Sequence, residues 1–269
     1  MKPVYIVSWL FALAVSFVSC DDWLDKTPKD RLYPDVYFKT EDELRLFTNQ
    51  FYNNLVPSAV DIYSESSDLI VKSDLMLEMS GQRIIPDEGN GWNFTALRDI
   101  NFYLQYSHNC TEVNARNRYD GVARFFRAYF YFEKVKRYGD IPWYDKALDS
   151  DDPELYKARD SREFVMQKML EDLDFAIANL PKTKNAYVLT RWTALALKSR
   201  VCLFEGTFRK YHGLEDYEKY LNACVSASET FMNESGYTLY KSGSTPYRDL
   251  FASINLQADE VIFGRDYEA

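Results

Sequence analysis

The sequence has few of the residues that usually carry catalysis. Only two histidines, His108 and His212, occur among 269 residues, and neither has the spacing of a metal site. The 10 glycines form no phosphate-binding loop and no nucleophile turn of the Gly-x-Ser-x-Gly type. The carboxylate pair Asp151 and Asp152 lies in a polar stretch, where solvated side chains are the simplest interpretation. These absences argue against an enzyme, and we expect neither a cofactor nor a bound metal.

Dense positive charge is also missing. The chain carries 41 acidic and 32 basic residues, for a formal net charge of −9, and no face rich in Lys and Arg stands out. We therefore expect no nucleic-acid partner. Aromatic residues, in contrast, are plentiful, with 21 Tyr, 18 Phe and 5 Trp. Most of them should fill a core, but such numbers also suit half-wet surfaces that bind sugars or proteins.

Only one long apolar run is present, at the N-terminus. It extends from Val4 to Val18 after Lys2, and it is shorter than the roughly 20 residues that span a bilayer. The run fits the core of a signal peptide. Cys20 follows it as in a bacterial lipobox, although Phe17 stands where Leu is preferred. We expect residues 1–19 to be a lipoprotein signal peptide and Cys20 to carry the lipid; ordinary cleavage beside an incidental cysteine is the alternative.

The remaining three cysteines are Cys110, Cys202 and Cys224. An odd number cannot form a complete disulfide framework in an oxidising compartment. Cys202 and Cys224 fall on consecutive predicted helices, so a bond between them stays open. Free cysteines on helix faces rich in small residues are the more common arrangement.

One stretch, residues 121–142, organises the chain. It reads as a helix that is apolar almost all the way round, ending near Tyr138 because Gly139 provides a left-handed cap and Pro142 prevents continuation. A helix with so little polar surface must be covered on several sides. The pattern predicts a central core helix whose narrow polar stripe consists of Asp120, Arg124, Arg127, Tyr131 and Lys134.

The rest of the chain indicates an all-α fold. Residues 20–39 are typical of an extended tether, and residues 40–269 of one helical domain with long irregular loops. Short loops and small residues such as Ala194, Ala196 and Ser199 favour tetratricopeptide-like helix pairs. The β-rich segment 260–268 predicts a short C-terminal strand. Further helices are predicted after Thr40 (a capping box with Glu43), Trp92, Asp160 or Ser161, Thr190, and Asp216.

Six short motifs occur in order along nearly the whole chain. Together they resemble the SusD/RagB family of surface lipoproteins, and the acidic pair after Cys20 resembles the export signal of such proteins in Bacteroidetes. Val122 departs from the pattern, because Glu is common there. The motifs are Cys20-Asp21-Asp22-Trp23-Leu24-Asp25, Phe38-Lys39-Thr40-Glu41, GxARFxRAxxYF…YGDIP (121–142), EDLDFAIANLP (171–181), ALALKSRVCLFEG (194–206) and EVIFGRDYE (260–268).

The resemblance implies a non-catalytic protein on the outer membrane. Such a protein captures oligosaccharides or peptides at the cell surface and hands them to a SusC-like TonB-dependent transporter. Family members are roughly twice this length, so we expect the chain to be an N-terminal portion, in which a binding site that needs later loops would be incomplete. A helical-repeat scaffold that binds only protein partners, or a truncated member that binds no ligand, stays open as the alternative.

Two aromatic loops are the candidate binding sites. Sugar sites pair an aromatic platform with a few hydrogen-bonding side chains. Asn90, Trp92 and Asn93 offer this mixture at a turn before a predicted helix, and the resemblance places ligand contacts in the same region. Trp143 and Tyr144, after the organising helix, form the second candidate. For Trp92, packing onto the helix that follows it is the competing interpretation.

Overall fold

The computed structural model describes residues 36–57, 77–84, 91–257 and 259–265. The chain divides into two compact units, Met1–Tyr37 and Phe38–Ala269, and the fold is that of the second. The predicted signal peptide, Cys20 and most of the tether lie outside the described residues. The helices are α1 (Glu41–Leu55), α2 (Leu77–Ser80), α3 (Thr95–Tyr106), α4 (Val113–Tyr138), α5 (Arg162–Asn179), α6 (Arg191–Tyr211), α7 (Tyr217–Glu234) and α8 (Pro246–Ala252).

Helix α4 is the central core helix that the sequence predicts. It begins at Val113, earlier than the motif that starts at Gly121, and ends at Tyr138, where Gly139 has a φ of 69°. Four other helices, α1, α3, α5 and α6, pack against it. Its polar stripe is covered in part, since Arg127 and Tyr131 are buried while the other three residues are half-buried. None of the described helices is both long and apolar enough to cross a membrane.

The predicted helix starts are confirmed where a side chain caps the first turn. Thr40 and Glu43 form the predicted capping box of α1, and the Ser161 hydroxyl accepts the backbone N–H of Phe164 at the start of α5. Thr190 caps α6 in the same way. Each cap satisfies donors that a helix cannot satisfy internally. Local sequence therefore determines where these helices begin.

Helices α4 to α7 follow one another as antiparallel pairs. Gly121, early in α4, lies against Leu180 just past the end of α5. Lys198, early in α6, contacts Asp174 late in α5, with 2.5 Å between Nζ and Oδ1. Helices α6 and α7 come so close that a Cβ on Gly206 would lie 2.7 Å from a Leu221 methyl carbon. The arrangement is the predicted tetratricopeptide-like one.

The three cysteines in the described part of the chain are free. Cys110 and Cys202 are buried and Cys224 is partly buried. Ser199 Oγ lies 3.4 Å from Cys224 Sγ and 2.8 Å from Ser228 Oγ, which ties α6 to α7 without a disulfide. Burial raises the pKa of the Cys202 thiol to about 12, so the thiol stays protonated and unreactive near neutral pH.

The predicted C-terminal strand is wrong. Residues 261–265 form bends and irregular backbone, and the described ranges contain no β-strand. The segment meets the body through isolated hydrogen bonds instead of a ladder: Gly264 N–H donates to Ala186 O (2.8 Å) and Thr238 N–H to Asp259 O (2.9 Å). β-Rich composition needs a paired strand to become a sheet. Residues 266–269 lie outside the described part.

Candidate functional site

A cavity of about 610 Å³ opens between the start of α3 and the long connection from α4 to α5. Three segments line it, within residues 92–101, 142–148 and 155–159. Its volume falls in the range of small-molecule sites, roughly 300–1,000 Å³. The cavity therefore brings both predicted aromatic loops to one place.

Trp92, Phe94 and Tyr144 form the aromatic wall of this cavity. The Trp92 ring meets Phe94 edge to face at 5.3 Å between centroids, and Tyr138 at the end of α4 at 4.9 Å. Phe94 in turn meets Tyr144 at 5.8 Å. Trp92 nevertheless keeps 40% of its surface exposed. Two edge-to-face ring contacts hold Trp92 in place while part of its surface stays exposed.

Asn101 of α3 holds the second loop in position. Its Nδ2 donates to the backbone oxygens of Tyr144 (2.8 Å) and Lys146 (3.3 Å). Its Oδ1 accepts from Arg127 Nη1 at 3.3 Å. Since a buried amide is costly unless its groups are paired, Asn101 fixes the backbone of the pocket wall to two helices at once.

Arg127 is itself anchored by a buried ion pair with Asp172 of α5. Its Nε and Nη2 donate to the two carboxylate oxygens at 2.6 and 2.7 Å. Burial disfavours the charged guanidinium, but the hydrogen bonds and charge of Asp172 outweigh that effect and raise the pKa of Arg127. A continuous set of contacts thus runs from α5 through α4 and α3 to the loop at Tyr144.

The connection from α4 to α5 is closed on itself near the pocket. Ile141 N–H donates to Asp160 O at 3.1 Å, and Trp143 N–H donates to the Asp160 carboxylate at 2.7 Å. Lys157 Nζ donates to Trp143 O at 2.6 Å. The Tyr144 hydroxyl donates to Glu154 O at 3.2 Å. These bonds give an irregular loop a defined shape.

The structure separates the five predicted ligand-binding residues. Trp92 and Tyr144 line the same cavity. Trp143 points inward, with 6% of its surface exposed, and stacks on Tyr131 at 4.3 Å. The Asn93 side chain accepts the N–H of Thr95 and lines a neighbouring cavity of about 750 Å³. Asn90 lies outside the described residues.

Sequence reasoning missed most of the polar side chains in the cavity. Asn101 and Arg98 lie on α3 on the same side as the buried Leu97. Polar residues on an otherwise apolar helix face were the one sequence feature that could have pointed to these two side chains. The residues from the loop before α5 carried no signal at all. The missed lining residues include Phe94, Arg98, Asn101, Lys146, Lys157 and Arg159.

The lining combines aromatic rings with hydrogen-bond donors. Aromatic faces and hydrogen-bond donors suit a ligand with both apolar faces and polar groups. Within the described part of the chain, no group of three His, Cys, Asp or Glu residues could hold a metal ion.

Comparison with known proteins finds one family repeatedly. The family model described as "Starch-binding associating with outer membrane" matches residues 59–191, which include both loops of the cavity. SusD-like protein P25 of Formosa agariphila is 20% identical over 99% of this chain and 52% of its own length. SusD-like protein P38 of the same organism is 24% identical over 93% and 50%. The chain thus spans about half the length of these curated relatives.

Solved structures share the fold. A SusD-like protein from Bacteroides fragilis has a TM-score of 0.63 at 22% identity, covering 91% of this chain and 48% of that one. A SusD-like carbohydrate binding protein from Bacteroides vulgatus has a TM-score of 0.58 at 16% identity, covering 80% and 49%. Family model, relatives and fold agree, and the chain belongs to the SusD-like family.

Proposed function

We propose that this protein binds a glycan, without catalysis, in the cavity between the Trp92 and Tyr144 loops. One observation carries the proposal: a half-exposed Trp92 stands beside Phe94, Tyr144 and several hydrogen-bond donors. Sugar rings offer apolar C–H faces that pack on aromatic rings, and hydroxyls that need polar partners. The cavity supplies both kinds of contact.

The comparisons support this proposal at the level of the family. The matching family is described as starch-binding and associated with the outer membrane, and one structural neighbour is named as carbohydrate binding. A protein of this family that captures nutrients has to meet its ligand at the cell surface.

We therefore extend the proposal to membrane attachment and transport: Cys20 anchors the chain to the outer membrane, and a SusC-like TonB-dependent transporter receives the ligand. A peptide is the alternative ligand.

A second function, as a scaffold for protein partners, draws on a different part of the molecule. Several large apolar side chains are exposed on α7, on α8 and in the segments beside α8. Their exposed fractions are 68% for Met232, 69% for Leu239, 73% for Phe251 and 92% for Ile254. Exposed apolar side chains in such numbers are typical of protein contacts. The scaffold function does not require the cavity, so it predicts that cavity variants bind partners normally.

Isothermal titration calorimetry of the purified protein against a panel of oligosaccharides and peptides tests the proposal. Trp92→Ala should weaken binding of any glycan ligand by at least about tenfold, because a stacking face is lost. Tyr211→Ala is the matched control, since Tyr211 is 82% exposed at the end of α6 and lies outside the cavity lining. Circular dichroism checks that both variants keep their helices. Equal affinity in wild type and Trp92→Ala would refute the proposal.

A further inference from the structure

We infer that the glycan bound in this cavity is acidic, carrying carboxylate or sulfate groups. The inference rests on the proposed glycan-binding function and specifies its substrate class. It starts from the charges on the cavity lining. Among the described residues of the lining, four are cationic and none is an aspartate or glutamate, although acidic residues outnumber basic ones in the chain. The cations are Arg98, Lys146, Lys157 and Arg159.

Arg159 is the cation most available to a ligand. Its guanidinium lies over the Trp92 ring at 4.9 Å from the centroid. The side chain is exposed, and among the described residues none forms an ion pair or hydrogen bond with it. A positive charge therefore stands beside the aromatic surface that a sugar ring would cover. A sugar stacked on Trp92 would place a ring substituent near a planar donor that matches carboxylate and sulfate geometry.

Two of the other three cations, Arg98 and Lys146, have carboxylate partners that a ligand could replace. Arg98 lies 3.9 Å from Asp149, with side chains 55% and 86% exposed. Lys146 lies 3.5 Å from Asp152 and 3.0 Å from Glu154. Exposed pairs of this kind are weak, so a ligand anion can take their place at little cost.

Lys157 differs from these two because its single ammonium group is held by both a carboxylate and a backbone oxygen, whereas Arg98 donates to Leu148 O through Nε and has Nη2 in its exposed pair. It contacts Asp160 at 2.9 Å and donates to Trp143 O. We therefore assign it to the loop structure. Arg159 with Arg98 and Lys146 form the proposed anion-binding set.

The described cavity lining has few side chains that accept hydrogen bonds. A neutral sugar would need such acceptors for its hydroxyl groups. Sugar hydroxyls donate as well as accept, and carboxylates are the strongest acceptors among side chains. The carboxylates near the cavity are paired with its cations and do not line it. The Asn101 oxygen is already used by Arg127. A donor-rich lining matches a ligand that is rich in acceptors.

The test compares glycans that differ only in charge. Calorimetry with the purified protein uses oligogalacturonate against its methyl ester, and chondroitin sulfate oligosaccharides against their desulfated form. We expect the charged member of at least one pair to bind at least about tenfold more tightly. The advantage should shrink in about 0.5 M NaCl, where exposed charges are screened. The pair that responds distinguishes carboxylate from sulfate.

Variants of Arg159 then test whether this residue supplies the positive charge that recognises the charged glycan. Arg159→Gln should remove most of the preference for the charged glycan, and Arg159→Lys should retain part of it. Arg45→Gln makes the same charge change at an exposed residue of α1 outside the cavity, and it should change nothing. A preference for the charged glycan that is unaltered in Arg159→Gln would overturn the inference.

The two proposals fail in different ways. If neutral and charged glycans bind equally and Trp92→Ala still abolishes binding, the acidic specificity is refuted and the glycan-binding function stands. If a well-folded protein binds no member of the panel, both proposals are refuted together.

Discussion

Two buried arginines, Arg127 on α4 and Arg209 on α6, join neighbouring helices through carboxylates. Arg127 forms a bidentate pair with Asp172 of α5. Arg209 donates to Glu205 within α6 at 2.8 Å and contacts Glu163 of α5. Both arginines are more than nine-tenths buried. The chemistry is the same in the two clusters, but their further contacts differ.

The Arg209 cluster stays among α5, α6, α7 and the short connection between α6 and α7, where Arg209 donates to Glu215 O, whereas the Arg127 cluster continues to the cavity. Tyr220 of α7 donates to Glu163 at 3.2 Å, so the Arg209 cluster joins three consecutive helices. Arg127 donates to Asn101, which holds the backbone at Tyr144. A buried ion pair that only joins helices should affect stability alone. One that reaches a loop should affect both stability and binding.

The largest loss of folding stability is expected from Glu205→Ala. Glu205 is fully buried and contacts both Arg162 (2.6 Å) and Arg209 (2.8 Å). Its removal leaves the Arg162 guanidinium without a carboxylate and leaves Arg209 with Glu163 as its remaining carboxylate, which should lower the free energy of unfolding by about 3–5 kcal/mol. Urea unfolding measures this loss, with the exposed Glu229→Ala as control. Ligand affinity, measured where the variant is still folded, should not change; a loss of affinity would contradict the proposed separation of roles.

Asn101→Ala should have a smaller effect on stability and a larger one on binding. The substitution leaves the carbonyls of Tyr144 and Lys146 without their donor, which costs about 1–3 kcal/mol. The released loop should also weaken glycan binding. Calorimetry and urea unfolding on the same sample separate the two effects.

Ser199→Ala is the matched control for Asn101→Ala. It removes one hydrogen bond between α6 and α7, far along the chain from the cavity lining. It should lower stability slightly and leave affinity unchanged. If Asn101→Ala lowered stability without changing affinity, the connection from the Arg127 cluster to the cavity would have no functional role.

The last effect concerns alkaline pH, is absent near neutrality and involves neither cluster. Burial raises the pKa of Cys202 from 9.0 to about 12 and that of Tyr52 from 10.0 to about 12. In both groups the unfolded chain loses its proton first as pH rises. The free energy of unfolding should therefore be unaffected below about pH 9 and fall between about pH 9 and pH 12. Urea unfolding from neutral to alkaline pH measures this decline, and Cys202→Ala with Tyr52→Phe should make it shallower without removing it, because burial also raises the pKa of Tyr103, Tyr131 and Tyr220. A double variant with the wild-type slope would show that other groups cause the loss.

Much of the fold could be predicted because its signals are local. The Thr40–Glu43 capping box and the Gly139 stop each involve residues within four positions of one another. The apolar circumference of α4 predicted a covered central helix, which the packing of four helices confirms. The C-terminal strand was the exception, because a strand exists only with a neighbour to pair with, and segment 261–265 has none among the described residues.

The candidate site could be predicted only in part. Trp92 and Tyr144 were recognisable as loop aromatics, but Trp143, adjacent to Tyr144 in sequence, is packed inside. Which of two neighbouring rings faces the cavity depends on the Tyr131 hydroxyl, which accepts the N–H of Tyr144 at 2.7 Å. No pattern in the sequence reports such a contact.

The sequence by itself determined the helices, their caps and their pairing, because those depend on side chains three or four residues apart and on short loops. The tertiary structure alone decided that Trp92, Tyr144 and Arg159 share one cavity. The bonds that bring the loops together join residues 43 and 50 positions apart, Asn101 to Tyr144 and Arg98 to Leu148. Contacts of that range form only when the helices carrying them have packed.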